Sequence, residues 1–296
     1  LKLLNHPATA RKGNLLSALG MLIAIIATLL HQQILNYQLI AFALLAGSVV
    51  GGLAARMVKM TGMPELVSLF NGIGGLASLS VAWATLVELA TPTGFVVLVS
   101  LLALFVGGVT FSGSLVAWGK LSTRLPGKPL HFSGQVRLNA LLGAATLVFF
   151  IALMVFPGSH FLQWCMVLLA LSFGVMLVLP IGGADMPVVV SLLNSYSGLA
   201  ACAAGFALNN NLLIVAGALV GASGMILTRI MCKAMNRSLL HVLTSGFQPM
   251  VEKELKIEGQ VKSISPEEAY FVLEAAQNIL VIPGYGMAVA QAQHAL

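Results

Sequence analysis

Apolar residues fall into eight long blocks, near residues 14–31, 36–56, 65–88, 94–118, 137–157, 160–180, 187–207 and 211–230, separated by short polar or turn-forming stretches. Each block is close to the roughly 20 residues that a helix needs to cross the hydrocarbon of a bilayer. The blocks are too long and too continuous for barrel strands. In lipid, every backbone amide has to be satisfied within its own segment, so helices are the predicted spanning element.

The pattern changes after Arg237. Residues 239–264 read as a linker, polar and charged over 248–265. Ser265-Pro266-Glu267-Glu268 then has the form of a helix start, with Ser at the N-cap, Pro at the first position and Glu at the third. This helix is predicted to run to about Ala276. Asn278–Pro283 is a short apolar run of the kind that forms a buried strand, and Gly284-Tyr285-Gly286 follows at once. The expected organisation is a transmembrane domain over 1–238, a linker over 239–264 and the start of a nucleotide-binding domain over 265–296. As a fold class this is an all-α polytopic membrane helix bundle followed by a truncated α/β Rossmann-type start.

Composition agrees with a lipid solvent. Hydrophobic residues make up 58% of the 296 and charged residues 8%, against roughly 25% charged in soluble domains; the mean hydropathy is +0.97. Of the 9 acidic residues only Glu65, Glu88 and Asp185 precede residue 250. The formal net charge of +6 comes from small basic groups between the apolar blocks. No basic stripe with interleaved aromatics accompanies them, so nucleic acid is not an expected partner. Lys2, Arg11 and Lys12 precede the first block, Arg56 and Lys59 follow the second, Lys120, Arg124, Lys128 and Arg137 follow the fourth, and Arg229, Lys233 and Arg237 end the last. The intervening loops carry no Lys or Arg. Only Ile181–Met186, with Asp185, is a neutral loop on the basic side. By the positive-inside rule, both ends of the bundle face the cytoplasm. Cys165, Cys202 and Cys232 have neither metal-ligand spacing nor a disulfide framework and read as small buried hydrophobes.

Four groups of residues carry candidate chemistry. The first is Gly284-x-Gly286-xxx-Ala290. Glycines after a strand permit a tight turn and close approach to a pyrophosphate, and a following helix would offer free N–H groups. The second is the break Gly182–Pro187 with Asp185, followed nine residues on by Asn194 amid Ser191, Ser195, Tyr196 and Ser197. An acid at a membrane boundary is costly unless it is paired or functional, and hydroxyls and amides in a span either bond a neighbouring helix or hold water. The third is Asn71, two turns beyond Glu65. An amide does not titrate near neutral pH but orients water or an imidazole. The fourth is Thr110, Ser112 and Ser114 among glycines. The small-xxx-small pairs Gly47/Gly51 and Gly217/Gly221 point to close helix packing. No histidine lies mid-block.

Several segments resemble the proton-translocating nicotinamide nucleotide transhydrogenases: MPELVSLFNG at Met63–Gly72, VTFSGSLVAWGKL at Val109–Leu121, GGADMPVVVSLLNSYSG at Gly182–Gly198, GALVGASG at Gly217–Gly224, MCKAMNRS at Met231–Ser238 and PGYGMAVAQAQ at Pro283–Gln293. They occur in that family's order along nearly the whole chain and correspond to its beta subunit. The resemblance implies hydride transfer between NADH and NADP⁺ coupled to inward proton movement. It implies NADP(H) bound at Gly284, Tyr285, Gly286 and Ala290, and NAD(H) bound by an alpha subunit. It implies a dimer of alpha–beta units in the inner (plasma) membrane. Asp185 matches a coupling acid, and Asn194 and Ser114 match residues of the proton path. Many family members have His where this chain has Asn71; others have Asn and place the histidine on the alpha part, which makes Asn71 a partner in the path. The resemblance further implies a span before Leu1 and the rest of the nucleotide domain after Leu296, so that 1–296 alone is not expected to catalyse hydride transfer.

Two other classes compete with this expectation. A channel or secondary transporter regulated by a nucleotide-binding domain would suit the broken helix at Gly182–Pro187, but neither an inverted repeat nor a selectivity-filter repeat is evident. A membrane scaffold without transport would not need so polar a seventh block.

Overall fold

The computed structural model describes residues 7–30, 37–88, 93–236, 238–244, 264–282 and 284. Among them are α1 (Pro7–Leu29), α2 (Tyr37–Met57), α3 (Met63–Glu88), α4 (Gly94–Leu121), α5 (Gln135–Val155), α6 (His160–Val178), α7 (Met186–Ala207), α8 (Asn211–Ala234), α9 (Leu239–Thr244) and α10 (Pro266–Glu274). The first 8 are long and apolar enough to cross a membrane, and the protein is a multi-pass membrane protein. Their bounds agree with the apolar blocks, with two instructive differences. α1 is already helical at Pro7, the first described residue, rather than beginning near 14; proline is tolerated in a first helical turn. α8 continues past 230 to Ala234, since Arg229 and Lys233 can reach out of the membrane at a helix end.

The chain divides into two compact units, Leu1–Met250 and Val251–Leu296. In the first, α4 and α7 form the centre. α4 packs on α3, α6 and α7, and α7 packs on α8, α4 and α3. Leu101, Ala103 and Leu104 of α4 and Val188 of α7 are fully buried. Several crossings depend on glycine, those of α3 on α4 and of α7 on α8 among them. A Cβ on Gly75 of α3 would stand 2.8 Å from the Gly107 carbonyl oxygen and 2.8 Å from the Phe111 nitrogen of α4. A Cβ on Gly217 of α8 would strike the Cys202 backbone of α7. Gly217/Gly221 therefore serves as expected, bringing two backbones together. Gly47 and Gly51 of α2 do not: nothing lies within 4 Å of a Cβ at either, because α2 buries none of its residues and, like α1, does not pack closely on the core of α3–α8.

α9 lies where a linker was expected and buries Val242 against the bundle. In the second unit, Ser265 Oγ accepts from the Glu268 N–H at 3.2 Å and Glu268 Oε2 accepts from the Ser265 N–H at 3.1 Å, the reciprocal cap that the sequence predicted. The helix ends at Glu274, short of Ala276. The buried strand expected over Asn278–Pro283 is not seen: residues 278–282 are exposed and carry no ladder, and Pro283 lies outside the described residues. A strand needs a neighbour for its N–H and C=O groups, and no second extended segment is available among the described residues. Tyr285, Gly286 and Ala290 of the expected phosphate-binding turn also lie outside them.

Candidate functional site

The third, fourth and seventh helices meet through polar side chains inside an otherwise apolar core. On α3, Ser68, Asn71, Gly72 and Gly75 share the face turned to α4. Ser68 Oγ donates to the Ser114 carbonyl at 2.9 Å. Asn71 Nδ2 donates to Ser114 Oγ at 3.0 Å. A Cβ on Gly72 would lie 3.1 Å from Ser114 Cβ, so a small residue is needed there for the serine to sit beside the amide. Ser68 and Ser114 are fully buried.

The amide of Asn71 has a second partner. Ser197 Oγ on α7 donates to Asn71 Oδ1 at 2.8 Å and also lies 2.9 Å from the Asn194 carbonyl oxygen. Asn71 thus uses both ends of one amide to bridge α4 and α7. The result is a run from Ser114 through Asn71 and Ser197 to Asn194 across three spans. Asn194 enters through its main chain; its half-buried side-chain amide makes no hydrogen bond to a described residue.

The other polar residues of these spans divide by partner. Thr110 Oγ1 and Ser112 Oγ bond the carbonyls of Val106 and Gly108 one turn back in α4. This satisfies the hydroxyls without reaching another helix. Ser191 and Ser195 of α7 bond the carbonyls of Gly224 and Gly221 on α8, and Thr228 adds a bond to Ser191. Those three hold α7 to α8. Among the described residues, only Ser114 and Ser197 bond the Asn71 amide.

Asp185 stands apart from this run. It closes a 3₁₀ turn at Gly183–Asp185 and is the N-cap residue of α7, with φ −92° and ψ −1°. The positive end of the α7 dipole favours a carboxylate there. At about 1.5 Å per residue, Asp185 is roughly 14 Å along the helix from Asn194. The loop between α4 and α5, which carries Arg124, Lys128 and His131, lies at the same end: the Gly183 N–H donates to the Gly127 carbonyl at 2.7 Å and the Leu130 N–H to the Leu179 carbonyl at 3.3 Å. The neutral Ile181–Met186 loop is thus joined to a basic loop, as the charge pattern required.

Ser68, Ser197's bridging role and the buried Lys120 were not singled out from the sequence. Ser68 is one turn before Asn71, and that spacing alone would have found it. A second polar junction, from Trp83 Nε1 of α3 to Gln163 Oε1 of α6 at 3.2 Å, lies at the far end of α3 from Asp185's side, and Gln163 Nε2 continues to the Pro157 carbonyl at 2.8 Å. Gly284 is exposed, and nothing lies within 4 Å of a Cβ placed on it.

The whole chain, residues 1–296, matches the family described as NAD(P) transhydrogenase beta subunit. It is similar to the NAD(P) transhydrogenase subunit beta of Rhodospirillum rubrum, with 44% identity over 314 residues covering 100% of this chain and 66% of that protein. The subunit beta from a designated strain of the same species gives the same figures. The chain thus spans 66% of the length of these relatives. With a match along its full length, eight helices among the described residues long and apolar enough to cross a membrane, and a polar junction built from the segments that carry the resemblance, the chain belongs to the NAD(P) transhydrogenase beta subunit family.

Proposed function

We propose that this chain is the membrane part of a proton-translocating transhydrogenase, in which hydride transfer from NADH to NADP⁺ by the complete enzyme is coupled to proton movement through the α3–α8 bundle. The observation that carries the proposal is the hydrogen-bonded run Ser114–Asn71–Ser197–Asn194 joining three spans. Buried amides and hydroxyls of this kind order water along a path, and none of them holds a titrating proton near neutral pH. The protonatable group is then supplied by the alpha partner, as a histidine facing Asn71. Asp185, at the cytoplasmic start of α7, senses the charge and passes its effect to the nucleotide domain. Coupling of this kind requires that the two states of the enzyme differ in affinity for both proton and nucleotide.

The NADP(H) site belongs to the domain that begins in 265–296. Gly284, whose backbone is open to approach, fits a phosphate-binding turn, with Tyr285, Gly286 and Ala290 completing it. Bound there, the nicotinamide would accept the hydride. NAD(H) is assigned to the alpha subunit. The assembly is a dimer of alpha–beta units in the inner (plasma) membrane, with both ends of the bundle cytoplasmic. A regulated channel or transporter is not favoured, given the family.

The test is Asp185→Asn in the full-length beta chain with its alpha partner, in inverted membrane vesicles. A coupling free energy in the usual range of about 1–3 kcal/mol corresponds to an about 5- to 150-fold effect. Proton-driven NADPH formation and NADPH release should both slow within that range. Normal turnover together with normal NADPH release would overturn the assignment of Asp185.

A further inference from the structure

Lys120 is the one charged side chain among the described residues that is buried, at 3% exposure. The sequence places it with the topogenic loop charges after α4. The structure places it inside, in the last turn of α4, with Nζ donating to the main-chain carbonyls of Leu179 and Ile181. A buried ammonium in a membrane bundle is costly, and such residues are found where they face the protein interior and bond carbonyls or acids.

The two carbonyls mark the place where α6 fails to continue. α6 ends at Val178, and Pro180 cannot extend its ladder. The last carbonyls of a helix lack intrahelical partners and form the negative end of its dipole. A lysine at that point satisfies both needs, and its three N–H donors suit two carbonyls two residues apart. On its other side the same break is held by the α4–α5 loop, through Gly127 to Gly183 and Leu130 to Leu179. Four residues beyond Ile181 comes Asp185. Ile181 and Met186, which flank the turn bearing Asp185, are buried in one cluster with Ala117, Val188 and Cys232.

We propose that Lys120 is a positioning residue: its ammonium, clamped on the Leu179 and Ile181 carbonyls, fixes the α6–α7 break and thereby the place of Asp185. The clamp itself rests on the geometry above; its effect on turnover rests in addition on the coupling role proposed for Asp185. Lys120→Met keeps the stem and removes the donors. The break then loosens and the cluster around Cys232 opens. Lys120→Arg keeps charge and donors and restores the hold.

The experiment uses the full-length beta chain with its alpha partner in membranes, with N-ethylmaleimide as the probe, Cys165 and Cys202 replaced by alanine, and alkylation read on the peptide that contains Cys232 so that no cysteine elsewhere in the complex is counted. Cys232, 4% exposed, should be alkylated at least about tenfold faster in Lys120→Met than in the parent, the factor expected for about 1.4 kcal/mol of easier local opening. Lys120→Arg should return the rate to within about twofold of the parent, on the same scale. In Lys120→Met the kcat for proton-driven NADPH formation should fall with the KM for NADH unchanged. An unchanged Cys232 rate in Lys120→Met, or an Arg variant no better than the Met variant, overturns the proposal. Where the Met variant does not accumulate, Lys120→Leu, which also lacks a donor, is read by the same criteria. Faster alkylation with normal turnover supports the clamp and counts against Asp185 as the coupling residue, so the two failures are distinguishable.

Discussion

Gly75→Ala tests whether the α3–α4 crossing sets the polar run. The added Cβ would stand 2.8 Å from both the Gly107 oxygen and the Phe111 nitrogen, and 3.0 Å from Thr110 Cβ. The first two are backbone atoms and cannot swing aside. Restoring a separation of about 3.5 Å moves the helices apart by about 0.7 Å at this level. Asn71 is one turn from Gly75, so its 3.0 Å bond to Ser114 Oγ stretches to about 3.7 Å, beyond a hydrogen bond. Overpacking costs about 1–3 kcal/mol, offset by about 1 kcal/mol of helix propensity gained on replacing glycine. The lost hydrogen bond is worth about 0.5–1.5 kcal/mol, or an about two- to thirteenfold drop in rate if it is needed in the transition state. The assay is the proton-driven NADPH formation proposed above for the complete enzyme, in inverted vesicles and normalised to the amount of beta chain in the membrane. Gly74→Ala is the matched control, since nothing lies within 4 Å of its Cβ. Equal rates for the two alanine variants would refute the reasoning, because they differ only in what the new methyl meets.

Two further outcomes follow from other junctions. Trp83→Phe removes the donor to Gln163 Oε1, a side chain that is fully buried; leaving that oxygen unpaired costs about 1–3 kcal/mol, measured as a lowered thermal midpoint in detergent with little change in turnover per folded molecule. In the second unit, Glu267 is held below the ordinary glutamate range, first by its own backbone N–H and then by the Ser265 hydroxyl. A depressed carboxyl stabilises the fold above its unfolded pKa, and that contribution is lost as pH falls through the folded value. Amide exchange over 267–270 should therefore accelerate, beyond the intrinsic pH effect, on going below the ordinary glutamate range. Ser265→Ala should reduce that acceleration, and unaltered pH sensitivity in the alanine variant would refute the assignment.

The spans were legible because lipid imposes one rule on every segment: a long apolar run that satisfies its own amides. Asn71, Ser114 and Asn194 were legible as polar residues in apolar runs, and the motifs containing them carried the resemblance. Which of the neighbouring hydroxyls joins them was not. Thr110, Ser112 and Ser114 differ little in sequence, yet two bond their own helix and one faces Asn71. At 100° per residue, a two-residue step turns a side chain by more than half a turn, and only the crossing of α3 on α4 decides which of them meets a partner. The strand expected over Asn278–Pro283 is not seen among the described residues 278–282 for a related reason: a strand exists through its neighbours, and a local apolar pattern does not supply them.

Lys120 shows the converse. Its position after an apolar block gave it the same topogenic weight as Arg124 and Lys128, and the orientation drawn from the charges uses all three alike. Arg124 does stay exposed, its guanidinium 4.6 Å above the Trp118 ring. Lys120, four residues earlier, is still in the last turn of α4, whereas Arg124 lies in the loop beyond it. That step is enough to exchange water for the carbonyls of Leu179 and Ile181. The break that receives it is itself set by Pro180 and two glycines, in a segment some sixty residues away in sequence. A basic residue at a helix end therefore carries two meanings, an address on the cytoplasmic face and a clamp on a neighbouring helix end. Which one applies depends on whether a broken helix ends beside it. In this bundle the break that takes the Leu179 and Ile181 carbonyls out of a helical ladder also places Asp185 at the head of α7, so the lysine that bonds the first is positioned to govern the second.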